Sequence, residues 1–594
     1  FDTTRLRFDT RELSVVSSGV IRLHPATARD NDNSLMRFEL DSVDLVHRDS
    51  GQVLFQADGL EFLVDGRDIM VGTPLRDVAA RAIIRESGVP DLRAMNLFIP
   101  ENLRLSVASG SGELSGSLNW EHGEMVGTVR ITSHDLEILV RETPVKGLLT
   151  LELNLSAQPD SRFVAIDGTR IYIDDVTLTG AEPEFEPWVG GILIEQGRVT
   201  LPESSLLPAG RQSIRNLVDF SDGSLMMSGT INNLDLPGYL LTEERRVTFD
   251  GPGRFDAKLE LLGGALGQGS FVRFDSSQLT ARFLDFDTRG AGSLLAEVKG
   301  RSSDRTLDVS ANIEDVIVAR RGSTDKLVES PKVTVRMSGR SADVTEPLGD
   351  VQIDFRIARA DVPDITVYNA YLPESGVLRL VSGSGAITSR FEVDDEAGSG
   401  WIELAAPAVS AIVNDNPVTV DLALEVEMSS QNIETRQFSV GGSYLRVSNV
   451  RYPDGTTLED WSTTFKFEDG SMRWTTPLEL DVGMTLEMSS SAPLIQLLTG
   501  RYSRLKWVDD LLSVSDVRGS SRVRLDRDSL VLNKLNILGE NVRLSANLLI
   551  RRDGAEGILY NQLGPFKATV EFKGQDREWF LFSARERFEK HTGY

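Results

Sequence analysis

Residues that could carry out chemistry are sparse in this chain, which has five histidines and no cysteine. The histidines are His24, His47, His122, His134 and His591, and no two of them have the H-x-x-x-H spacing of a helical metal site. Without cysteine the chain has no disulfide, no thiolate metal site and no thiol nucleophile. The sequence therefore predicts neither a histidine-based metal site nor a cysteine-dependent enzyme.

Four other segments have suitable residue types, but a turn is the simpler interpretation of each. Residues 263–269 are rich in glycine but lack the P-loop lysine and the Rossmann spacing. Residues 30–33 offer oxygen ligands for calcium without the glycine and distal glutamate of an EF-hand. Residues 109–112 are not a nucleophile elbow, and residues 394–396 resemble a charged hairpin tip more than an acid–base pair. We expect no catalytic residue, no metal and no cofactor, so the chain is not predicted to be an enzyme.

The chain has instead long stretches in which apolar and polar residues alternate. Residues 418–428 read V-T-V-D-L-A-L-E-V-E-M, which on a strand places the apolar side chains on one face and mostly acidic ones on the other. At about 3.3 Å per residue such a strand is roughly 35 Å long. The predicted apolar stripes consist of Leu149, Leu151, Leu153, Leu155, Val418, Val420, Leu422, Leu424, Val426, Met428, Leu480, Val482 and Met484.

A shift of 273 residues aligns the first part of the chain with a later part. V-P-D-L-R-A-M-N-L-F-I-P-E from Val89 matches V-P-D-I-T-V-Y-N-A-Y-L-P-E from Val362, and an S-G-S-G sequence follows each. The alignment covers residues 1–202 and 274–475 without a gap. It predicts a tandem duplication with two β-domains, at residues 1–273 and 274–594.

Composition limits the class of protein. A content of 40% hydrophobic residues in 594 excludes wholesale disorder, and a formal charge of −26 argues against nucleic acid as a partner and against broad adhesion to anionic membranes. No stretch of about 18 apolar residues could span a membrane as a helix. The chain opens abruptly at Phe1 in patterned strand, from which we expect that an N-terminal targeting segment or anchor is missing.

Short Gly-rich turns between the alternating stretches predict antiparallel meanders. The predicted fold class is all-β, an elongated antiparallel meander curled into a groove, with two tandem similar halves and a few short helices. Helices are expected at residues 206–218, 492–512 and 577–590, the last amphipathic and docked on the sheet or on a partner. Residues 76–86 could form a helix after Pro74, but their shifted partner alternates, which favours a strand.

Two arrangements could cover so many one-faced strands: two packed sheets, or one sheet that curls around a ligand. Sandwich strands are typically short, whereas these alternations extend over 11 residues. A curled sheet would leave an apolar trough, which lipid tails would fill at about 0.8 kcal/mol for each buried CH₂ group.

The repeated meander, the N-x-φ-φ-P-E step before S-G-S-G (φ, an apolar residue), and R-V-R-L-D-R-D-S-L-V-L-N-K-L-N-I-L-G from Arg522 resemble the AsmA-like proteins of Gram-negative bacteria. The resemblance covers most of the chain. It implies a β-taco groove that conducts phospholipid acyl chains between the inner and outer membranes. It further implies a periplasmic location, an inner-membrane anchor, a possible outer-membrane partner at the C-terminal end, and no catalytic residue.

Two other functions remain open at this point, and a third is disfavoured. The first is a structural or adhesive β-repeat protein, although the 273-residue period and the lack of Pro/Ser-rich linkers weigh against it. The second is an outer-membrane assembly factor that conducts no lipid. The third is a β-helix enzyme acting on carbohydrate, which would need a cluster of carboxylates on one face, and the sequence offers none that a turn does not explain better.

Overall fold

The computed structural model describes residues 2–9, 13–24, 33–47, 53–57, 59–67, 78–97, 99, 105–140, 142–158, 161–178, 187–201, 221–234, 247–263, 265–300, 305–340, 349–373, 378–394, 397–413, 415–491, 515–540, 542–551, 553–574 and 576–591. The chain divides into two compact units. Unit 1 comprises Phe1–Ala281, Gly292–Ser310 and Ser338–Gly349, and unit 2 comprises Arg282–Ala291, Ala311–Met337 and Asp350–Tyr594.

The protein is all-β, and its strands form a long antiparallel sheet. The first strands are β1 (Asp2–Asp9), β2 (Leu13–His24), β3 (Asn33–His47), β4 (Val53–Ala57), β5 (Leu60–Arg67), β6 (Val78–Val89), β7 (Leu105–Ser109), β8 (Gly112–Glu121), β9 (Glu124–Ser133), β10 (Leu136–Val140), β11 (Thr143–Gln158), β12 (Phe163–Ala165) and β13 (Thr169–Leu178). They continue with β14 (Trp188–Thr200), β15 (Asp222–Ile231), β16 (Val247–Asp250), β17 (Gly253–Leu262), β18 (Ala265–Leu266), β19 (Phe271–Phe283), β20 (Phe286–Lys299), β21 (Thr306–Arg320) and β22 (Lys326–Arg340).

The remaining strands are β23 (Gly349–Val362), β24 (Leu378–Ser382), β25 (Gly385–Asp394), β26 (Ala397–Val413), β27 (Asn416–Ser430), β28 (Gln437–Ser439), β29 (Tyr444–Arg451), β30 (Thr457–Arg473), β31 (Glu479–Ser490), β32 (Ser515–Leu525), β33 (Ser529–Leu538), β34 (Val542–Arg551), β35 (Gly554–Leu563), β36 (Phe566–Gly574) and β37 (Asp576–Phe580). Among the described residues, the helical elements are the 3₁₀ helices Leu92–Leu97, Ile365–Tyr371 and Ile433–Thr435 and the α-helix α1 (Ala584–Glu589).

Within each unit the long strands pair in the order in which they follow one another along the chain. In unit 1 this order is β1, β2, β3, β5, β6, β8, β9, β11, β13, β14, β15, β17 and β19. In unit 2 it is β23, β25, β26, β27, β29 and then β30 to β37. Antiparallel strands that pair in chain order form a meander, which agrees with the Gly-rich turns of the sequence.

The strand predicted at residues 76–86 is confirmed, because β6 occupies most of this segment. The helix predicted at residues 577–590 is wrong over its first half. Residues 576–580 form β37, which pairs with β36 through the contacts of Val570 with Trp579 and Thr569 with Phe580. Only Ala584–Glu589 is helical. The aromatic residues of this segment are compatible with an amphipathic helix or with a strand. Pairing with the edge of β36 stabilises the strand. The helices predicted at residues 206–218 and 492–512 lie outside the described residues.

Candidate functional site

In unit 2 the strand register aligns one apolar face across many strands. Leu424 of β27 lies opposite Leu404 of β26 on one side and Leu445 of β29 on the other. Side chains that lie directly opposite in an antiparallel pair are on the same face of the sheet. The row formed in this way, here called the unit 2 row, is Ile387, Leu404, Leu424, Leu445, Phe465 and Leu486.

Unit 1 contains a corresponding row. Leu151 of β11 pairs with Ile131 of β9 and with Ile171 of β13. The unit 1 row is Leu114, Ile131, Leu151, Ile171 and Ile192, and it continues through Gly229 to Phe255 and Phe274. The strand register therefore places these large apolar side chains side by side. If one strand slipped by a single residue, its apolar side chains would lie on the other face of the sheet and the row would be interrupted.

Most of the stripe residues predicted from the sequence are covered only in part. Val418, Val420, Met428 and Val482 are buried. The others retain intermediate exposure: Leu149, Leu151, Leu153, Leu155, Leu422, Leu424, Val426, Leu480 and Met484. A two-layer core would bury all of these side chains, whereas this face keeps accessible apolar area.

The opposite face of the same strands is polar. Ala397, Ser399, Trp401, Glu403 and Ala405 of β26 are exposed, while the residues between them are covered or partly covered. A shallow cleft of about 560 Å³ lies on this polar face, lined by Arg390, Glu392, Ser399, Gly400, Trp401, Glu403, Glu425, Glu427, Met428, Ser429, Ser439 and Gly441. The two faces of the sheet in unit 2 are thus chemically distinct, as in antiparallel sheets with one solvated side.

The 3₁₀ helix Ile365–Tyr371 covers part of the unit 2 apolar face. Ile365 is 1% exposed and packs with Ala406 and Val409, and partly buried Tyr368, Leu380, Leu404 and Leu422 complete this cluster. Burial raises the pKa of the Tyr368 phenol far above its usual value, because a phenolate would be poorly solvated there. The Tyr368 hydroxyl donates a hydrogen bond to the carbonyl oxygen of Leu327 at 3.2 Å.

An asparagine clamp fixes this helix to the neighbouring strand. The Asn369 amide nitrogen donates to the carbonyl oxygen of Leu380 at 2.8 Å, and its side-chain oxygen accepts from the Leu380 N–H at 2.8 Å. Asp364 caps the helix by accepting from the Thr366 N–H at 2.9 Å. At the other end the Leu478 N–H donates to the carbonyl oxygen of Tyr371 at 3.0 Å. Polar groups at both ends therefore hold an apolar cover in place.

Unit 1 has the same clamp at the shifted position. Asn96 exchanges hydrogen bonds of 2.8 and 2.7 Å with the backbone of Val107. Leu92 is buried with Val89 and Val107, and its N–H donates to the carbonyl oxygen of Gly110 at 2.8 Å. The repeated motif is visible in the sequence, but its 3₁₀ helix was not predicted. Asp91 and Asn96, at fixed spacing before S-G-S-G, were the available signal.

The first glycine of each S-G-S-G sequence is required by this packing. Gly383 has φ +142°, and a Cβ there would lie 3.1 Å from Val409 Cα and 3.3 Å from Ile365 Cγ2. Gly110 also has φ +142°, and its Cβ would lie 3.2 Å from Leu92 Cδ1. Only glycine adopts this backbone conformation readily while a helix approaches so closely.

Next to the 3₁₀ helix Ile365–Tyr371, the carboxylate of Asp421 on β27 stabilises bulges in the neighbouring strands β26 and β29. Asp421 accepts from the Asn449 side-chain amide at 2.7 Å and from the Ala408 N–H at 2.8 Å. These hydrogen bonds hold the pKa of Asp421 below its usual value. Ala408 and Asn449 have φ of 53° and 55°, and the register shifts at both places. The charge thus stabilises two strained residues.

The residues first considered for chemistry do not assemble into a reactive site. His122 lies in an exposed turn, and His134 Nε2 lies 3.2 Å from Glu113 Oε1 at the surface. Residues 395 and 396, and 30 to 32, lie outside the described residues. Within the described ranges, no three His, Asp or Glu side chains converge as metal ligands.

Comparisons of the chain with family models, with curated proteins and with solved structures gave no match. Among the described residues, no helix is long and apolar enough to cross a membrane.

Proposed function

We propose that this protein carries the acyl chains of phospholipids along the apolar face of its sheet. The observation that supports this function best is the unit 2 row: six large apolar residues lie side by side across six strands, and five of them keep intermediate exposure. From Leu424 through Leu445 to Phe465 the row offers an apolar surface without a specific polar partner. That is the chemistry that an acyl chain needs, because each buried CH₂ group contributes about 0.8 kcal/mol.

The proposal includes a sheet that curls into a groove rather than packing as a sandwich. Strands of 15 and 17 residues, such as β27 and β26, are long for a sandwich. The described strands belong to one hydrogen-bonded sheet, and the twist natural to long sheets favours curling. A groove would account for apolar side chains that are neither buried nor fully exposed.

The proposal also includes two tandem copies. β7, β8 and β24, β25 have bounds that differ by 273 residues, the offset found in the sequence. Trp188 Nε1 donates to the carbonyl oxygen of Asn233 at 2.7 Å, and Trp461 Nε1 donates to that of Ser490 at the same distance. Each copy would then provide an equivalent apolar path for lipid. In line with the AsmA-like resemblance, we place this path in the periplasm between the two membranes of a Gram-negative cell, with an anchor at the inner membrane.

The test compares one substitution on each face of β27. Leu424→Asp puts a charge into the unit 2 row, while Ala423→Asp puts the same charge on the opposite face of the same strand. Native mass spectrometry of the protein incubated with phospholipid should show bound lipid for the wild type and for Ala423→Asp. We expect an at least tenfold loss of bound lipid for Leu424→Asp.

Circular dichroism melting of both variants is the control for folding, because Leu424 is only partly buried and its replacement should leave the fold intact. Equal lipid binding by both variants, or an absence of lipid on the wild type, would refute the proposal.

A structural β-repeat is the second candidate function, and the 3₁₀ helix over Leu404 and Leu422 favours it. A protein that covered its own apolar face everywhere would serve as a spacer and bind no lipid. In that case Leu424→Asp would unfold the protein, with the melting temperature falling far more than for Ala423→Asp.

A further inference from the structure

An exposed apolar patch lies near the C-terminal end of the described residues. Phe566, Trp579, Leu581 and Phe582 are 74, 68, 68 and 91% exposed. Elsewhere among the described residues only Leu262 reaches comparable exposure, at 64%. Scattered single apolar residues are normal on a surface, but four together indicate an interaction site. We call these four residues the aromatic patch.

The strand register brings the patch residues together. Thr569 of β36 lies opposite Phe580 of β37 in an antiparallel pair. Because the two strands are antiparallel, Phe566 at the start of β36 and Leu581 and Phe582 just after the end of β37 lie at the same end of the pair. Trp579 lies opposite Val570, which in turn lies opposite Leu559. Trp579 is therefore on the apolar face of the sheet.

Helix α1 supports the patch from the other face without covering it. The Phe588 ring lies 6.0 Å from that of Tyr560, and the Thr569 hydroxyl donates to the carbonyl oxygen of Ala584 at 2.6 Å. Arg587 pairs with Glu571 at 2.6 Å and stacks over the Phe580 ring at 3.5 Å. The connection that carries Leu581 and Phe582 is thus fixed at both ends by ordered elements, and its apolar side chains still point to solvent.

The charge around the patch differs in sign from that of the chain. Residues 566–591 contain six Lys/Arg and five Asp/Glu, a formal charge of +1, whereas the remaining residues have 57 basic and 84 acidic side chains, or −27. Lys567, Arg577 and Lys590 form no ion pair with any other described residue, although Arg577 lies over the Phe572 ring at 5.9 Å. The aromatic patch therefore lies in a segment whose formal charge does not oppose approach to an anionic surface, unlike that of the chain as a whole.

We propose that the aromatic patch docks on an anionic lipid bilayer. Trp, Phe and Leu beside Lys and Arg are the residue types of a membrane interface, where rings enter the headgroup layer and cations meet anionic lipid. A flat protein partner would match the patch less well, because Phe582 protrudes at 91% exposure between a strand and a helix. At physiological salt a charge is screened within about 8 Å, so the distant acidic surface does not prevent the contact. The inference goes beyond the proposed lipid path, since it depends on other residues.

The test is co-sedimentation of the 594-residue chain with vesicles of phosphatidylcholine and phosphatidylglycerol in equal parts. The wild type should sediment with these vesicles and less with pure phosphatidylcholine vesicles. The double substitution Leu581→Asp and Phe582→Asp should reduce binding at least tenfold. Leu262→Asp, at a similarly exposed leucine outside the patch, should leave binding unchanged.

Two results would overturn the proposal: no sedimentation of the wild type, or equal sedimentation of the patch variant. A dimer in analytical ultracentrifugation that the patch variant loses, without vesicle binding, would show instead that a second copy occupies the patch. Lipid bound to the patch variant, measured by native mass spectrometry, separates the two proposals. If the proposed lipid path is correct, the patch variant should bind as much lipid as the wild type, regardless of the result of the vesicle sedimentation.

Discussion

The apolar face of unit 2 has two regions that differ in how they are covered. Over Leu404 and Leu422 lies the 3₁₀ helix Ile365–Tyr371, and the cluster beneath it includes Val409 at 0% exposure. The cluster around Phe465 consists of strand residues alone, and both Leu445 and Phe465 keep intermediate exposure. We refer to these as the covered region and the open region.

This contrast distinguishes the structural part of the apolar face from the rest. The covered region is held by polar contacts: the Asn369 clamp, the Asp364 cap and the Tyr368 hydroxyl. Such directional bonds specify one arrangement of the chain. The open region has only apolar side chains of similar type in a row, and these suit a ligand that slides and has no fixed orientation. Substitutions in the covered region therefore test the fold, and changes in the open region test the proposed function.

The largest effect is expected from Gly383→Val in the covered region. The new side chain would meet Val409 and Ile365 at a backbone φ of +142°. We expect the free energy of unfolding of unit 2 to fall by about 3 to 4 kcal/mol, from backbone strain and overpacking together. Urea unfolding followed by circular dichroism measures it.

Gly455→Val is the matched control, because Gly455 has φ +90° but no atom within 4 Å of its Cβ position. This variant should lose only the strain contribution, about 1 to 2 kcal/mol. Equal losses for the two variants would mean that the 3₁₀ helix does not pack where described.

A smaller effect is expected from Asn369→Ala, which leaves the N–H and carbonyl of Leu380 without their partner. The loss should be about 2 kcal/mol, since two part-buried backbone groups lose hydrogen bonds. Asn96→Ala should have a similar effect in unit 1, because Asn96 makes the same pair of contacts with Val107. Thermal melting of both variants measures this, and a loss in one unit without a loss in the other would show that the two clamps are not equivalent.

The smallest effect is expected from Asp421→Ala at the edge of the covered region. We expect a loss of about 1 kcal/mol at neutral pH, because two hydrogen bonds to a partly exposed carboxylate disappear. The folded pKa of Asp421 is lowered, so its stabilising contribution is present above the ordinary carboxyl pKa of about 3.9 and is lost as the pH falls through the lower folded value. The difference between wild type and variant in urea unfolding should therefore shrink below pH 4, and a constant difference would assign the loss to packing.

Alternation and turn residues predicted much of the fold. β27 extends over the whole of residues 418–428, and β11 contains the four leucines of the shifted stretch. This was possible because side-chain direction in a strand follows a period of two, which is visible without knowledge of any neighbour. The grouping of Leu404, Leu424 and Leu445 into one row was not predictable from these strands singly, since it depends on register.

Features that depend on distant partners were missed. The clamp by Asn369 could not be predicted, because the sequence does not show that the backbone of Leu380 lies within hydrogen-bonding distance of this side chain. The helix predicted at residues 577–590 was wrong at Trp579 and Phe580 because pairing with β36 overrides local helix pattern. The predicted stripes included Val418 and Val420, which are buried in a cluster with Ala411 and Val450, and periodicity could not distinguish them from the partly exposed Leu424.

The most direct test of the lipid path is photo-crosslinking from neighbouring positions on the two faces of β29. A benzophenone amino acid is placed at Leu445 in the open region or at Arg446 on the exposed opposite face, and each purified protein is illuminated with phospholipid vesicles. We predict a lipid adduct from position 445 and none from position 446. Adducts of equal yield from both positions, or none from position 445, would contradict the account.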